Sequence, residues 1–157
     1  MTQSIPTTGA GGVRFRSRLE ARWAAFFSLM RWPWQYEPDL GLDGWIPDFV
    51  ITSGDGLLVE VKPVTRVIDF VDHMGRINAS GTKAPCLLVG AALSFDRDED
   101  PTVSVIRYET DRVDMGFGWY KARWSTVAWK VAVGMPPFGA VQRTWAKAGN
   151  VLQWRRM

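Results

Sequence analysis

The 157-residue chain has a single cysteine, Cys86, and a single histidine, His73. One cysteine excludes a disulfide framework, and the two together cannot supply a Cys/His zinc site. No apolar run reaches the roughly 18 residues that span a bilayer, and the first residues lack the apolar core of a signal peptide. A reducing cytoplasm is therefore expected, with no membrane partner. Acidic residues are missing from the last part of the chain: beyond Asp114 there are 7 Lys or Arg and no Asp or Glu. Up to Asp114, 12 basic residues stand against 16 acidic ones, so the net charge of +3 hides an acidic body and a basic tail. The tail also holds Trp119, Trp124, Trp129, Trp145 and Trp154, five of the nine tryptophans. A basic, Trp-rich segment beside an acidic body implies an anionic partner, with nucleic acid first among the candidates.

With 46% hydrophobic and 22% charged residues, the composition is that of a globular protein. A chain of this length forms one domain and buries roughly two-thirds of its unfolded surface. Residues 1–12 are uncharged and rich in Thr, Ser, Gly and Pro, and read as a flexible leader. A single domain over 13–157 follows, with a core at about 14–110 and a basic extension at about 115–157. Ser17 and Glu20 form a capping box for a first helix, whose apolar face is Leu19, Trp23, Phe26, Phe27 and Met30, and Pro33 ends it. Strands are expected over Trp34 to Glu37, Trp45 to Ile51 and Leu57 to Lys62. The last two form a hairpin around Gly54-Asp55-Gly56, and Pro63 ends the third. Val64 to Ile77 reads as a helix. Cys86 to Leu93 reads as a strand buried on both faces, and Val103 to Tyr108 as another. Asp96 to Asp100 is an acidic surface loop. Trp119 to Val133 is strand, helix or both, and Thr144 to Trp154 is a helix interrupted at Gly149-Asn150. This order predicts an α/β fold, a central mixed β-sheet flanked by helices.

The chemistry is concentrated in Pro47-Asp48-Phe49 and Glu60-Val61-Lys62. Residues two apart on a strand share a face, so Glu60 and Lys62 point one way and Val61 the other. The hairpin turn brings Asp48 close to Glu60. Aspartate is disfavoured in strands, so its place beside Ile46, Phe49 and Val50 needs a reason. Two carboxylates and an ammonium in one site suit phosphodiester hydrolysis. Hard oxygen ligands select Mg²⁺ or Mn²⁺, the metal neutralises developing charge and acidifies water, and a nearby Lys assists.

At these positions the sequence resembles the PD-(D/E)XK nuclease superfamily. The signature stands as Pro47-Asp48, eleven residues, then Glu60-Val61-Lys62, with Glu20 matching a Glu that many members carry on the first helix. Tyr36-Glu37-Pro38, Ile46-Pro47-Asp48-Phe49 and Leu58-Val59-Glu60-Val61-Lys62 look like small phage and transposon endonucleases, among them Holliday-junction resolvases and the subunit that cuts transposon ends. The resemblance covers about residues 14 to 93. It implies a restriction-endonuclease-like core and a Mg²⁺-dependent deoxyribonuclease. Asp48 and Glu60 would hold the metal, joined by Glu20 and the Val61 carbonyl, and Lys62 would position the attacking water. It further implies branched DNA as substrate, a homodimer for junctions, and the cytoplasm of a host if the chain is phage-encoded. The alternatives are an endonuclease for transposon ends or other double-stranded sites that needs a protein partner, and a non-catalytic nucleic-acid-binding module on the same fold.

Several residues also have simpler readings. Glu20 serves equally as the acidic half of a helix cap. Glu60 and Lys62 would, without Asp48, read as a solvated strand face. Glu37 is a weaker acidic candidate, and Asp43 and Asp55 are turn residues. His73, one helical turn after Asp69, reads as a surface or packing residue, and Cys86 as an inert small hydrophobe. Arg14, Arg16, Arg18 and Arg22 gather near the first helix, where a phosphate would be welcome. Arg66, Arg76, Lys121 and Arg123 are further candidate DNA contacts. Trp119, Trp124 and Trp129 read as core.

Overall fold

The computed structural model describes residues 7–8, 12–95, 101–109, 117–131 and 139–153. The loop expected at Asp96 to Asp100, and Lys130, Trp129, Arg155, Arg156 and Trp154 as side chains, lie outside what is described. The chain divides into two compact units, Met1–Trp34 with Pro136–Met157, and Gln35–Met135.

In the first unit, β1 (Thr7–Thr8) pairs antiparallel with β2 (Arg14–Phe15), Thr7 lying opposite Phe15. The segment read as a leader therefore enters a sheet for two residues. Helix α1 (Arg18–Leu29) starts at Ser17, whose Oγ accepts the Glu20 N–H at 3.1 Å. Its end is not set by Pro33. Arg31 adopts a left-handed φ of 61°, the Arg31 N–H bonds to the Ser28 carbonyl and the Trp32 N–H to the Phe27 carbonyl. This is a Schellman motif, completed by Trp32 stacked on Phe27 at 6.0 Å and 12°. An arginine in the position that favours glycine costs roughly 1–2 kcal/mol, which the stacked pair helps to offset.

Helix α4 (Ala140–Gln153) buries Val141, Trp145 and Ala148 at helical spacing. Trp145 meets Trp23 at 4.4 Å and Phe26 at 5.8 Å between ring centroids. The expected interruption at Gly149-Asn150 is absent, and Arg22 gives the reason. Its guanidinium lies 3.9 Å over the Trp145 ring and donates from Nε and Nη2 to the Trp145 carbonyl. A Cβ on Gly149 would sit 2.9 Å from the Arg22 Cζ, so the glycine makes room for the cation without breaking the helix.

The second unit contains a six-stranded sheet in the order β3 (Trp34–Tyr36), β4 (Phe49–Ile51), β5 (Leu57–Val61), β6 (Cys86–Phe95), β7 (Pro101–Glu109) and β8 (Phe117–Arg123). The β5–β6 pair is parallel, and β4–β5, β6–β7 and β7–β8 are antiparallel, so the sheet is mixed. The segment 117–130 is both strand and helix, because α3 (Trp124–Lys130) follows β8 directly. Helix α2 (Val71–Ala79), preceded by a 3-10 turn at Val67–Phe70, lies in the β5–β6 crossover. It begins later than the sequence pattern suggests. Val64 is held beside β6, where its carbonyl accepts the Ala91 N–H at 2.9 Å. A Cβ on Gly90 would stand 2.5 Å from that carbonyl, so only glycine permits the approach.

Phe70 and Ile77 pack with Trp45, Leu58, Cys86, Leu88 and Val105 on one face of the sheet. Arg107, 3% exposed, staples the end of α2 to β7 by donating to Asn78 Oδ1 at 2.9 Å and the Thr82 carbonyl at 3.0 Å. The Cys86 thiol beneath it is buried. Burial pushes it up from its ordinary 9.0 to about 11, against the opposing pull of the Arg107 charge.

Between pH 9 and about 11 the unfolded thiol is ionised while the folded one keeps its proton. Stability therefore falls as pH rises through that window, by on the order of 2 kcal/mol from this group. Urea melts at pH 8, 9, 10 and 11 should show a steeper loss in the native protein than in Cys86→Ala. Equal slopes would remove the thiol from the account.

Candidate active site

The register of the β4–β5 hairpin sets Phe49 opposite Val59 and Ile51 opposite Leu57. The pairing starts at Phe49, and the same register carried one step back would set Asp48 at the level of Glu60 and Pro47 at that of Val61. Pro47 has no N–H to donate, so the ladder stops there. Asp48 then takes over with its side chain: Oδ2 accepts the Val61 N–H at 2.7 Å. Its backbone carbonyl accepts the Glu37 N–H at 2.8 Å. This is why the strand is shorter than the expected Trp45 to Ile51. On β5 the Leu58 and Lys62 N–H groups bond to the β6 side, at Pro85 and Val89. The Val61 N–H and C=O therefore point toward Asp48.

Glu60 lies on the α2 face with Leu58, and is 6% exposed; Asp48 is 9% exposed. A solvated strand face is excluded for Glu60. Its Oε1 lies 2.7 Å from Lys62 Nζ, and its Oε2 accepts the Trp45 indole N–H at 2.9 Å. Trp45 is a partner that the sequence did not announce. Its one signal was a large aromatic just before Pro47-Asp48.

Glu60, Lys62 and Trp45 also line a cleft of about 40 Å³ whose other wall is α2, through Asp72, His73, Arg76 and Ile77. His73 is thus placed beside the buried pair. Asp72 has little to distinguish it in the sequence beyond its spacing to Arg76, one helical turn.

Glu20 belongs to the first unit, where its Oε2 accepts the Arg16 N–H at 3.2 Å at the start of α1. Arg14, Arg16 and Arg18 are exposed there, whereas Arg22 is engaged with Trp145. Burial lowers the pKa of the Arg22 guanidinium, which nonetheless stays charged. Arg66 is exposed and grips Asp69 with two hydrogen bonds of 3.0 Å. Lys121 and Arg123 are exposed on β8, either side of buried Ala122.

A divalent cation suits this donor set. Carboxylate oxygens are the hard donors that such a cation prefers. Among the described residues, no three His, Cys, Asp or Glu side chains form a ready cage. Mg²⁺ commonly takes one or two carboxylates and completes its shell with water and substrate phosphate. No family model matches the chain, and neither does any curated protein or solved structure.

Replacing Trp45 with Phe removes a donor from a buried carboxylate. Trp45→Phe should lower stability by about 1–3 kcal/mol, measured by urea unfolding at pH 7. No change would mean that the indole does not support Glu60.

Proposed function

We propose that the protein is a metal-dependent DNA endonuclease that hydrolyses phosphodiester bonds on a restriction-endonuclease-like core. One observation carries the reading. Asp48, just before β4, accepts the N–H of Val61, the neighbour of Glu60 on β5; both carboxylates are buried, and Lys62 lies against Glu60. A buried acidic pair beside a lysine contributes little as a stabiliser and much as a reaction centre.

In this reading Asp48 and Glu60 hold Mg²⁺ or Mn²⁺, and the Val61 carbonyl, facing the same side, joins them. When bound, the cation neutralises phosphate charge and makes a bound water more acidic. Trp45 fixes one Glu60 oxygen so that the carboxylate does not rotate. Lys62 orients the attacking water and takes part in moving its proton. Water adds to phosphorus and the P–O3′ bond breaks, leaving a 5′-phosphate and a 3′-hydroxyl. Branched DNA is the first substrate and a double-stranded site the second, in the cytoplasm; junction resolution would call for two copies.

The satisfied state of Glu60, with both oxygens partnered, favours one competing reading: a DNA-binding module that keeps the ion pair for structure. It predicts salt-dependent binding without cleavage.

The test is cleavage of supercoiled, branched and single-stranded DNA with Mg²⁺ or Mn²⁺. Asp48→Asn and Lys62→Ala should each lose at least about 100-fold in rate. Full activity in Lys62→Ala would overturn the mechanism. Glu20→Gln assigns the helix glutamate: a matching loss makes it a metal ligand, an unchanged rate leaves it as a cap.

A further inference from the structure

The cleft beside Glu60 has a wall that the proposed chemistry does not use. Asp72, His73 and Arg76 come from two turns of α2 and face Lys62, Glu60 and Trp45 across about 40 Å³. Three arginines elsewhere are engaged within the fold, Arg22 on Trp145, Arg66 on Asp69, and Arg107 on Asn78 and Thr82. Among the described residues, the side chains of Arg76 and His73 make no hydrogen bond or ion pair. Asp72 stands one helical turn from Arg76 and does not pair with it. Exposed Arg76 and half-buried His73 therefore line the cleft without a side-chain partner, beside a lysine already bound to Glu60. A backbone phosphate has the charge and the acceptor geometry to fill that place, and guanidinium matches it with two parallel N–H groups.

We infer that the α2 wall is a phosphate-binding subsite, in which Arg76 and His73 grip a DNA phosphate and deliver the strand to Asp48, Glu60 and Lys62. This rests on the nuclease reading for its consequence, though not for its binding test. The cleft carries balanced charge, Lys62 and Arg76 against Glu60 and Asp72. Specificity for the phosphate then comes from directed donors rather than from a general positive field. Arg76 is a binding residue here, so its loss weakens substrate capture and leaves the chemical step nearly intact.

The Trp45 indole N–H, bonded to Glu60 in the same cleft, is a built-in reporter. In ¹H–¹⁵N NMR, thymidylyl-thymidine should shift the Trp45 indole signal saturably, and its uncharged methylphosphonate counterpart should not. Arg76→Gln should weaken that binding by about tenfold, the scale of one charge-assisted contact, with the remaining spectrum unchanged. In cleavage assays it should raise KM by a similar factor with kcat within about twofold. His73→Gln should weaken binding less. An unshifted indole signal, equal response to the uncharged analogue, or undiminished binding in Arg76→Gln would each overturn the subsite. Binding as expected without any cleavage by the native protein would instead refute the nuclease reading and leave the phosphate subsite standing.

Discussion

The Glu60 carboxylate is the constraint around which the second unit is arranged. A carboxylate carried onto a buried sheet face costs several kcal/mol unless a charge and hydrogen bonds meet it. Lys62 meets one oxygen and the Trp45 indole the other. Each partner depends on something further. Trp45 must lie buried with Phe70 and Ile77 over the sheet. Lys62 must leave the strand at Pro63, and Val64 must close against Gly90 before the chain turns into α2. Arg107 then pins the far end of α2. A hydrophobic residue at position 60 would need none of these provisions, which is why the buried acid is read as functional rather than stabilising.

Much of this was legible. The period-2 pattern and the Gly54-Asp55-Gly56 turn identify the hairpin, whose register pairs Phe49 with Val59, the residues next to Asp48 and Glu60. The apolar run from Cys86 identifies the central strand, and the Ser17–Glu20 spacing identifies the start of α1. What stayed hidden depended on contacts far apart in sequence. The end of α1 is set by Arg31 and the Trp32–Phe27 stack. The continuity of α4 through Gly149 depends on Arg22, 127 residues earlier in the chain. The indole on Glu60 and the α2 wall are likewise products of tertiary placement. Local pattern names residues able to do chemistry; only the fold shows which of them meet.

The basic, Trp-rich tail changes meaning in the same way. Trp124 and Trp145 are buried, as their size suggests, so they serve as core rather than as stacking platforms for bases. The tail also divides, with β8 and α3 in the sheet unit and α4 beside α1 in the other. Its cations are therefore divided between the two units. Lys121 and Arg123 on β8 share the sheet with Glu60, three strands away from β5.

The central claim is that Asp48 and Glu60 are cation ligands. Anomalous diffraction from a crystal soaked in Mn²⁺ tests it most directly. The account predicts an anomalous peak within coordination distance of one oxygen from each carboxylate. A map without that peak, with Glu60 still held between Lys62 and Trp45, would contradict it.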